Sequence, residues 1–165
     1  MPAKTTSKKQ SQNGHTRAGA GAPQVNLDYC QFRLRIGPSK IHRWGVFAAE
    51  DIPAHRKIIE YTGELISRRE TKRRAEASEH IYLFTVDPYW VKDGSVGGSG
   101  AEYINHCCSP NVRAVVIKRH ILYMAKRKIR RGEELTIDYN FDKHVEKVPC
   151  ICGAPDCRGT INVTD

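Results

Sequence analysis

From residue 32 onward the chain alternates short apolar runs with polar turns. Phe32 to Ile36, Val46 to Ala49, Lys57 to Tyr61, Ile81 to Val86, Val112 to Lys118, Ile121 to Ala125 and Glu134 to Asp138 are rich in β-branched and aromatic residues and too short for helices, the signature of strands. Pairs such as Gly37-Pro38 and Asp93-Gly94 mark turns between them. The pattern predicts a mainly β fold of several small sheets. One stretch differs: Ser67-Arg68-Arg69-Glu70 has the Ser-x-x-Glu form in which a hydroxyl caps the first helical turn, and Thr71 to Glu79 is rich in helix formers. One short helix is expected there. Its Arg68, Arg69, Lys72, Arg73 and Arg74 stand beside Glu70, Glu76 and Glu79, which suits either a phosphate-binding face or a solvated one.

Composition adds two constraints. With 165 residues the chain suffices for one ordinary domain. Its longest apolar run, Ile121 to Ala125, is far below the roughly 18 residues of a membrane span, so no membrane segment is expected. The Lys- and Ser-rich start has no apolar stretch behind it to act as a secretory signal, and an intracellular, reducing compartment is expected. Net charge is +9, and Lys4, Lys8, Lys9 and Arg17 supply four of those charges within residues 1–24, a segment without acids and nearly without large apolar side chains. Such a segment cannot offset the entropy of ordering itself. It reads as a disordered basic tail able to contact DNA non-specifically. A second basic cluster, Lys126 to Arg131, suits either a nucleic-acid backbone or a solvated strand end.

Three of the six cysteines fall in Cys150-Ile151-Cys152-Gly153-Ala154-Pro155-Asp156-Cys157, where Gly and Pro fold the loop. Tetrahedral zinc takes four thiolate or imidazole ligands, so one more must come from elsewhere. The adjacent Cys107 and Cys108 are the obvious donors, and neighbouring side chains point apart, so one of the two is expected to bind. Cys30 lies next to the tail, and His144 reads better as a surface histidine. Disulfides are disfavoured in a reducing compartment. A metal held this way would tie residues 150–157 back to the segment near residue 108 and take part in folding.

Asn105-His106-Cys107-Cys108-Ser109-Pro110-Asn111 packs polar and ligand-type residues directly behind Tyr103-Ile104, a density that suggests a site. A Cys–His nucleophile is disfavoured there, because adjacent residues rarely face each other well enough for a base to reach a thiol. Further on, Leu135, Ile137 and Tyr139 share one strand face and end an apolar wall in a phenol, which fits a site tyrosine or a core one.

Taken in order, Arg43-Trp44-Gly45-Val46-Phe47, Glu60-Tyr61-Thr62-Gly63-Glu64, the Asn-His-x-Cys-x-Pro-Asn of 105–111, the Glu-Glu-Leu-Thr-x-Asp-Tyr of 133–139 and the closing Cys150 to Gly159 resemble the SET-domain protein lysine methyltransferases with a post-SET zinc loop. The resemblance covers about Phe32 to Asp165. It implies the SET fold: several small β-sheets, one short helix and a pseudoknot formed by threading of the C-terminal segment. Residues 1–24 would be the tail, 25–142 the SET domain and 143–165 the post-SET zinc-binding segment. It also implies S-adenosyl-L-methionine as methyl donor and a structural Zn2+. His42, Arg43 and Trp44 would approach the methionine part of that donor, Tyr82 would lie where donor and lysine pocket meet, Asn105 and His106 would hold the donor, and Ile151 would cover its adenine. Tyr139 would be the catalytic phenol, with Tyr82 beside it. The family's zinc ligand is the second residue after the His, which implies Cys108 together with Cys150, Cys152 and Cys157.

Methyl transfer from a sulfonium to an amine is a direct displacement, so the protein must align three atoms and exclude water. A free lysine is only about 0.04% neutral at pH 7, and presenting its amine costs roughly 4 to 5 kcal/mol. The implied partner is a protein carrying a target lysine, a histone or another basic protein, met by a monomeric enzyme at the chromosome, in the nucleus of a eukaryote or the cytoplasmic nucleoid of a bacterium. Four positions depart from the family pattern. Cys107 replaces a common Ser, Glu102 stands where a basic residue is frequent, Ser99 where Asn is, and Ile137 where Phe or Tyr is. A phenol at that last position holds a water that stops methylation after one round; Ile cannot, so di- or trimethylation is expected. Two rival readings are a catalytically silent SET-like binding module and a basic zinc-containing nucleic-acid-binding protein. The first is disfavoured by the presence of Tyr139, Asn105, His106 and the cysteines, and the second leaves Tyr82 and the Asn-His pair idle.

Overall fold

The computed structural model describes residues 22–77 and 82–164. Most of the expected basic tail lies outside these residues, as do Ser78 and Glu79 of the expected helix and Ile81 of the expected strand. In chain order the strands are β1 (Leu34–Pro38), β2 (Trp44–Ala48), β3 (Lys57–Tyr61), β4 (Glu64–Ser67), β5 (Leu83–Thr85), β6 (Trp90–Asp93), β7 (Asn105–His106), β8 (Val112–Ile117), β9 (His120–Ala125) and β10 (Thr136–Ile137), with helix α1 (Arg68–Ala77) between β4 and β5. They form four small sheets: the β1–β2 ribbon, β3–β9–β8, β4–β6–β5 and the parallel pair β7–β10.

The β-branched runs are the walls of the core. Ile58 and Ile59 of β3, Ile121 of β9 and Val46 of β2 are fully buried, joined from the connecting segments by Ile52, Ile104, Ile129 and Leu135. Isolated bridges between Ile52 and Ile129 and between Phe47 and Glu134 tie the sheets together around them. The β8–β9 hairpin turns on Lys118 and Arg119, both at positive φ (47° and 67°), the two-residue geometry whose twist matches paired strands.

The expected elements are present with different bounds. β1 begins at Leu34, leaving Phe32 packed against the core from outside the strand. The strand expected over 134–138 shrinks to Thr136–Ile137, because Glu134 bridges to β2 instead and Asp138 turns its carboxylate to an arginine. β4 and β6 carry too little apolar alternation to be foreseen: β4 buries only Ile66, and β6 buries Asp93 beside Val91. α1 buries no residue at all. Ser67 Oγ accepts the Glu70 N–H (3.3 Å) as a cap, but Glu70 turns its carboxylate to Arg73 and Arg74 and does not complete the box. Arg74 holds the helix down by pairing with Glu64 (2.7 Å), Glu70 (2.8 Å) and Asp93 (2.6 Å). With Arg73 also on Glu70 and Arg68 donating to the Pro88 carbonyl, these arginines are spent on the protein itself, which favours the solvated-face reading of this helix.

Candidate active site and cysteine centre

The parallel pair β7–β10 is the seam on which the site is built. It sets Asn105 beside Thr136 and His106 beside Ile137, and both ends open into a cleft of about 1520 Å³. His42, Arg43, Trp44, Tyr82, Asn105, Ile137 and Tyr139 line that cleft. His106 is buried behind it, and Ile151, 71% exposed, lies outside its lining.

Asn105 acts on the turn between β1 and β2. Its Nδ2 donates to the Trp44 carbonyl (2.9 Å), reaches the His42 carbonyl (3.4 Å) and donates to Glu134 Oε1 (2.9 Å). Glu134 also accepts from Ser39 Oγ (2.8 Å), whose oxygen caps the Ile41 N–H. The turn is therefore clamped from below by two side chains, and Arg43 is held at φ 33°. Gly45 makes room for this arrangement: a Cβ there would sit 2.3 Å from Glu134 Oε1 and force the carboxylate to move. Asn111 performs the matching task on the other strand, donating to the Glu134 carbonyl (2.8 Å) and accepting the Thr136 N–H (2.9 Å).

His106 is 3% exposed, and its Nδ1 accepts the Tyr139 N–H at 3.2 Å. That acceptor role leaves the proton on Nε2, which faces Cys108 Sγ at 3.4 Å. Burial pushes the imidazole pKa down, with Asp138 partly opposing and Arg158 assisting, so the ring is neutral at neutral pH. Tyr139 follows directly. Its hydroxyl donates to the Ile104 carbonyl (3.0 Å), its ring packs edge-on to His106 and stacks on Phe141, and burial of the phenol, with Tyr82 and Glu134 adding, pushes it up to about 12. A phenol so placed is a fixed dipole and not a base at pH 7–9. The opposite wall is aromatic: Tyr82 lies 5.5 Å from Tyr103 between ring centroids, and Tyr61, Phe84 and Tyr123 meet within 6.1 Å. Of these rings only Tyr82 is expected from the sequence as a site residue. Tyr61, Phe84 and Tyr123 fall in expected strands and Tyr103 in the apolar pair before Asn105, and their convergence depends on pairing between distant segments.

The four cysteines at 108, 150, 152 and 157 also converge, with all Sγ atoms within 4.8 Å of one another. Cys108 Sγ lies 3.7 Å from Cys150 and 3.9 Å from Cys157, close to the edge of about 3.8 Å that a tetrahedron with 2.3 Å Zn–S bonds requires. The Arg158 and Gly159 N–H groups donate to Cys108 and Cys157 sulfurs at 3.4 Å each, as thiolates would want. No cysteine is in a disulfide, Cys107 is buried next to this group, within reach of Cys152, but is not one of the four, and His144 is exposed and outside it. The donor set fits zinc. Proximity does not exclude a Cys–His pair, since His106 reaches Cys108 at 3.4 Å across one intervening residue. What disfavours a nucleophile there is the company of three more thiols.

The SET domain family matches residues 43–140, which hold the turn, the seam and the phenol. The chain belongs to the SET-domain family. Among curated relatives, the SET domain of this chain is similar to a histone-lysine N-methyltransferase, H3 lysine-4 specific, of Schizosaccharomyces pombe (43% identity over 139 residues, 79% of this chain and 15% of that protein). It is also similar to the protein of that same name from Saccharomyces cerevisiae (43% over 163 residues, 88% of this chain and 15% of that protein) and to human histone-lysine N-methyltransferase SETD1A (40% over 150 residues, 84% and 9%). The chain thus spans less than a fifth of the length of these relatives. Among the described residues, no helix is long and apolar enough to cross a membrane.

Proposed function

We propose that this chain is an S-adenosyl-L-methionine-dependent protein-lysine N-methyltransferase acting on a histone, with lysine 4 of histone H3, named for its relatives, as the first substrate to test. The observation that carries the reading is the placement of Tyr139: its hydroxyl is anchored on Ile104 and its N–H on His106, one strand from the His42–Trp44 turn. S-adenosyl-L-methionine supplies a methyl group on a sulfonium for direct displacement by an amine. His42, Arg43 and Trp44 would hold it through their clamped turn, Asn105 and His106 from beneath, and Ile151 would cover it. Tyr82 and Tyr139 would orient the lysine nitrogen, and the aromatic wall would exclude water and disfavour the ammonium form. Cys108, Cys150, Cys152 and Cys157 would hold the structural Zn2+. Residues 25–142 would form the catalytic body and 143–165 its zinc-bound closure. Chromatin is the matching location, and the basic segment 1–24 a matching DNA anchor.

Transfer of labelled methyl groups to histone H3, compared with H3 carrying arginine at position 4, tests both levels. Tyr139→Phe is expected to lower transfer about 10²-fold or more by removing a fixed dipole at the reacting atoms. Transfer to the arginine-bearing histone would remove the assigned position, and failure to methylate any protein would remove the activity.

A further inference from the structure

Arg158 follows the last of the four cysteines, and its guanidinium reaches Asp138. Nη1 donates to Asp138 Oδ2 at 2.6 Å, and Nη2 donates to Asp138 Oδ1 at 3.0 Å and to the Ile161 carbonyl at 3.0 Å. Its own N–H meanwhile donates to Cys108 Sγ. One residue therefore touches the sulfur cluster with its main chain and the neighbour of Tyr139 with its guanidinium. Both partners of the fork are about four-fifths sheltered, with side-chain exposures of 20% and 21%, and Arg158 Nε is buried without a partner. The orientation of the guanidinium is thus set by its two Nη groups. A two-pronged arginine–carboxylate pair fixes a plane as well as a distance, which a lysine does not. The other support of Tyr139 runs the same way, from its N–H through His106 to Cys108. Four thiolates around Zn2+ would carry two net negative charges, and the Arg158 guanidinium, paired with Asp138, offsets part of the negative charge gathered there.

We propose that Arg158 is a positioning residue for Tyr139: its fork to Asp138 transmits closure of the cysteine loop to the phenol, so that the cleft is complete only when the C-terminal segment is docked. The inference deepens the methyl-transfer reading and rests on it. Asp138→Asn, Arg158→Met and Arg158→Lys separate the elements of the claim in the full chain. Asp138→Asn is expected to keep one zinc per chain while kcat falls at least about tenfold and KM for an H3 peptide stays within about threefold, the mark of lost alignment. Arg158→Met should lose at least as much, and Arg158→Lys, with charge but no fork, should recover only part. In protein labelled with 3-fluorotyrosine, the 19F resonance assigned to Tyr139 through Tyr139→Phe should shift in Asp138→Asn and Arg158→Met. An unchanged resonance with unchanged kcat in Asp138→Asn overturns the proposal, as does activity that falls only in proportion to lost zinc. If the unaltered chain transfers no methyl group, the methyl-transfer reading fails, and the Tyr139 resonance alone decides whether the fork sets the phenol.

Discussion

β3 and β9 bury Ile58, Ile59, Tyr61, Ile121 and Tyr123 to 4% exposure or less, whereas residues 141–149 are exposed one after another. The first region has apolar area enough to offset the entropy of its own ordering. The second has not. What organises the C-terminal segment is polar: Asn162, 1% exposed, donates to the Asp142 and Glu146 carbonyls and accepts from Val148 N–H and Thr160 Oγ1, and the four thiols close the loop beyond it. One region is a scaffold that folds by burial, and the other is a cover held by polar contacts, with four thiols placed where a metal could close it. The site needs both, since Tyr139 leaves β10 and enters the cover.

The sharpest break of this contrast is metal removal. A strong chelator should abolish methyl transfer and open residues 143–164 to proteases while amide exchange in β3 and β9 stays slow, because metal binding is folding only where no core replaces it. Unchanged proteolysis of that segment would end the claim that zinc organises it. The converse lesion is Ile59→Ala, which empties space in the central sheet. It should cost about 2–5 kcal/mol of unfolding free energy, read by urea denaturation, and leave one zinc bound per folded chain. A protein that loses its C-terminal cover first on this substitution would show the two regions to be one cooperative unit.

Acid–base behaviour separates them again. Tyr139 at about 12 and His106 pushed down by burial leave no group of the seam titrating between pH 7 and 9. The neutral fraction of the substrate lysine rises about tenfold per pH unit over that range, so the rate with chemistry limiting should rise with it toward pH 9. A flat profile under those conditions would count against cleft-bound amine as the nucleophile, and a break near neutrality would point to a group outside the seam.

How much of this the chain disclosed beforehand follows the same divide. Strands whose burial is a matter of β-branched side chains, such as Lys57–Tyr61, were legible from local pattern, and so was the start of α1 from Ser67. The order of motifs located the seam, the phenol and the sulfur cluster. What stayed hidden were side chains acting across long separations: Asn105 and Glu134 on the His42–Trp44 turn, Asn111 on Thr136, Asn162 inside the cover and Arg158 on Asp138. A polar residue alone carries no period. Its partner is chosen by topology, which no window of neighbouring residues contains.

The smallest effect is expected at Ile137, where scaffold and cover meet. Its side chain is 4% exposed and lines the cleft, while its carbonyl accepts the Cys107 N–H at 3.0 Å. An aliphatic group at this position offers no hydrogen bond to a water, so nothing polar is displaced when the lysine nitrogen gains a second or third methyl group. The unaltered chain should accordingly build di- or trimethyllysine on the peptide. Ile137→Tyr adds bulk and a hydroxyl to a packed strand. It should lower stability by about 1–3 kcal/mol through overpacking, alter the rate of the first transfer only modestly, and arrest the product at monomethyllysine. Mass spectrometry of peptide at saturating enzyme reads this directly: monomethyllysine alone from the unaltered chain would show that the limit on multiplicity lies elsewhere in the aromatic wall.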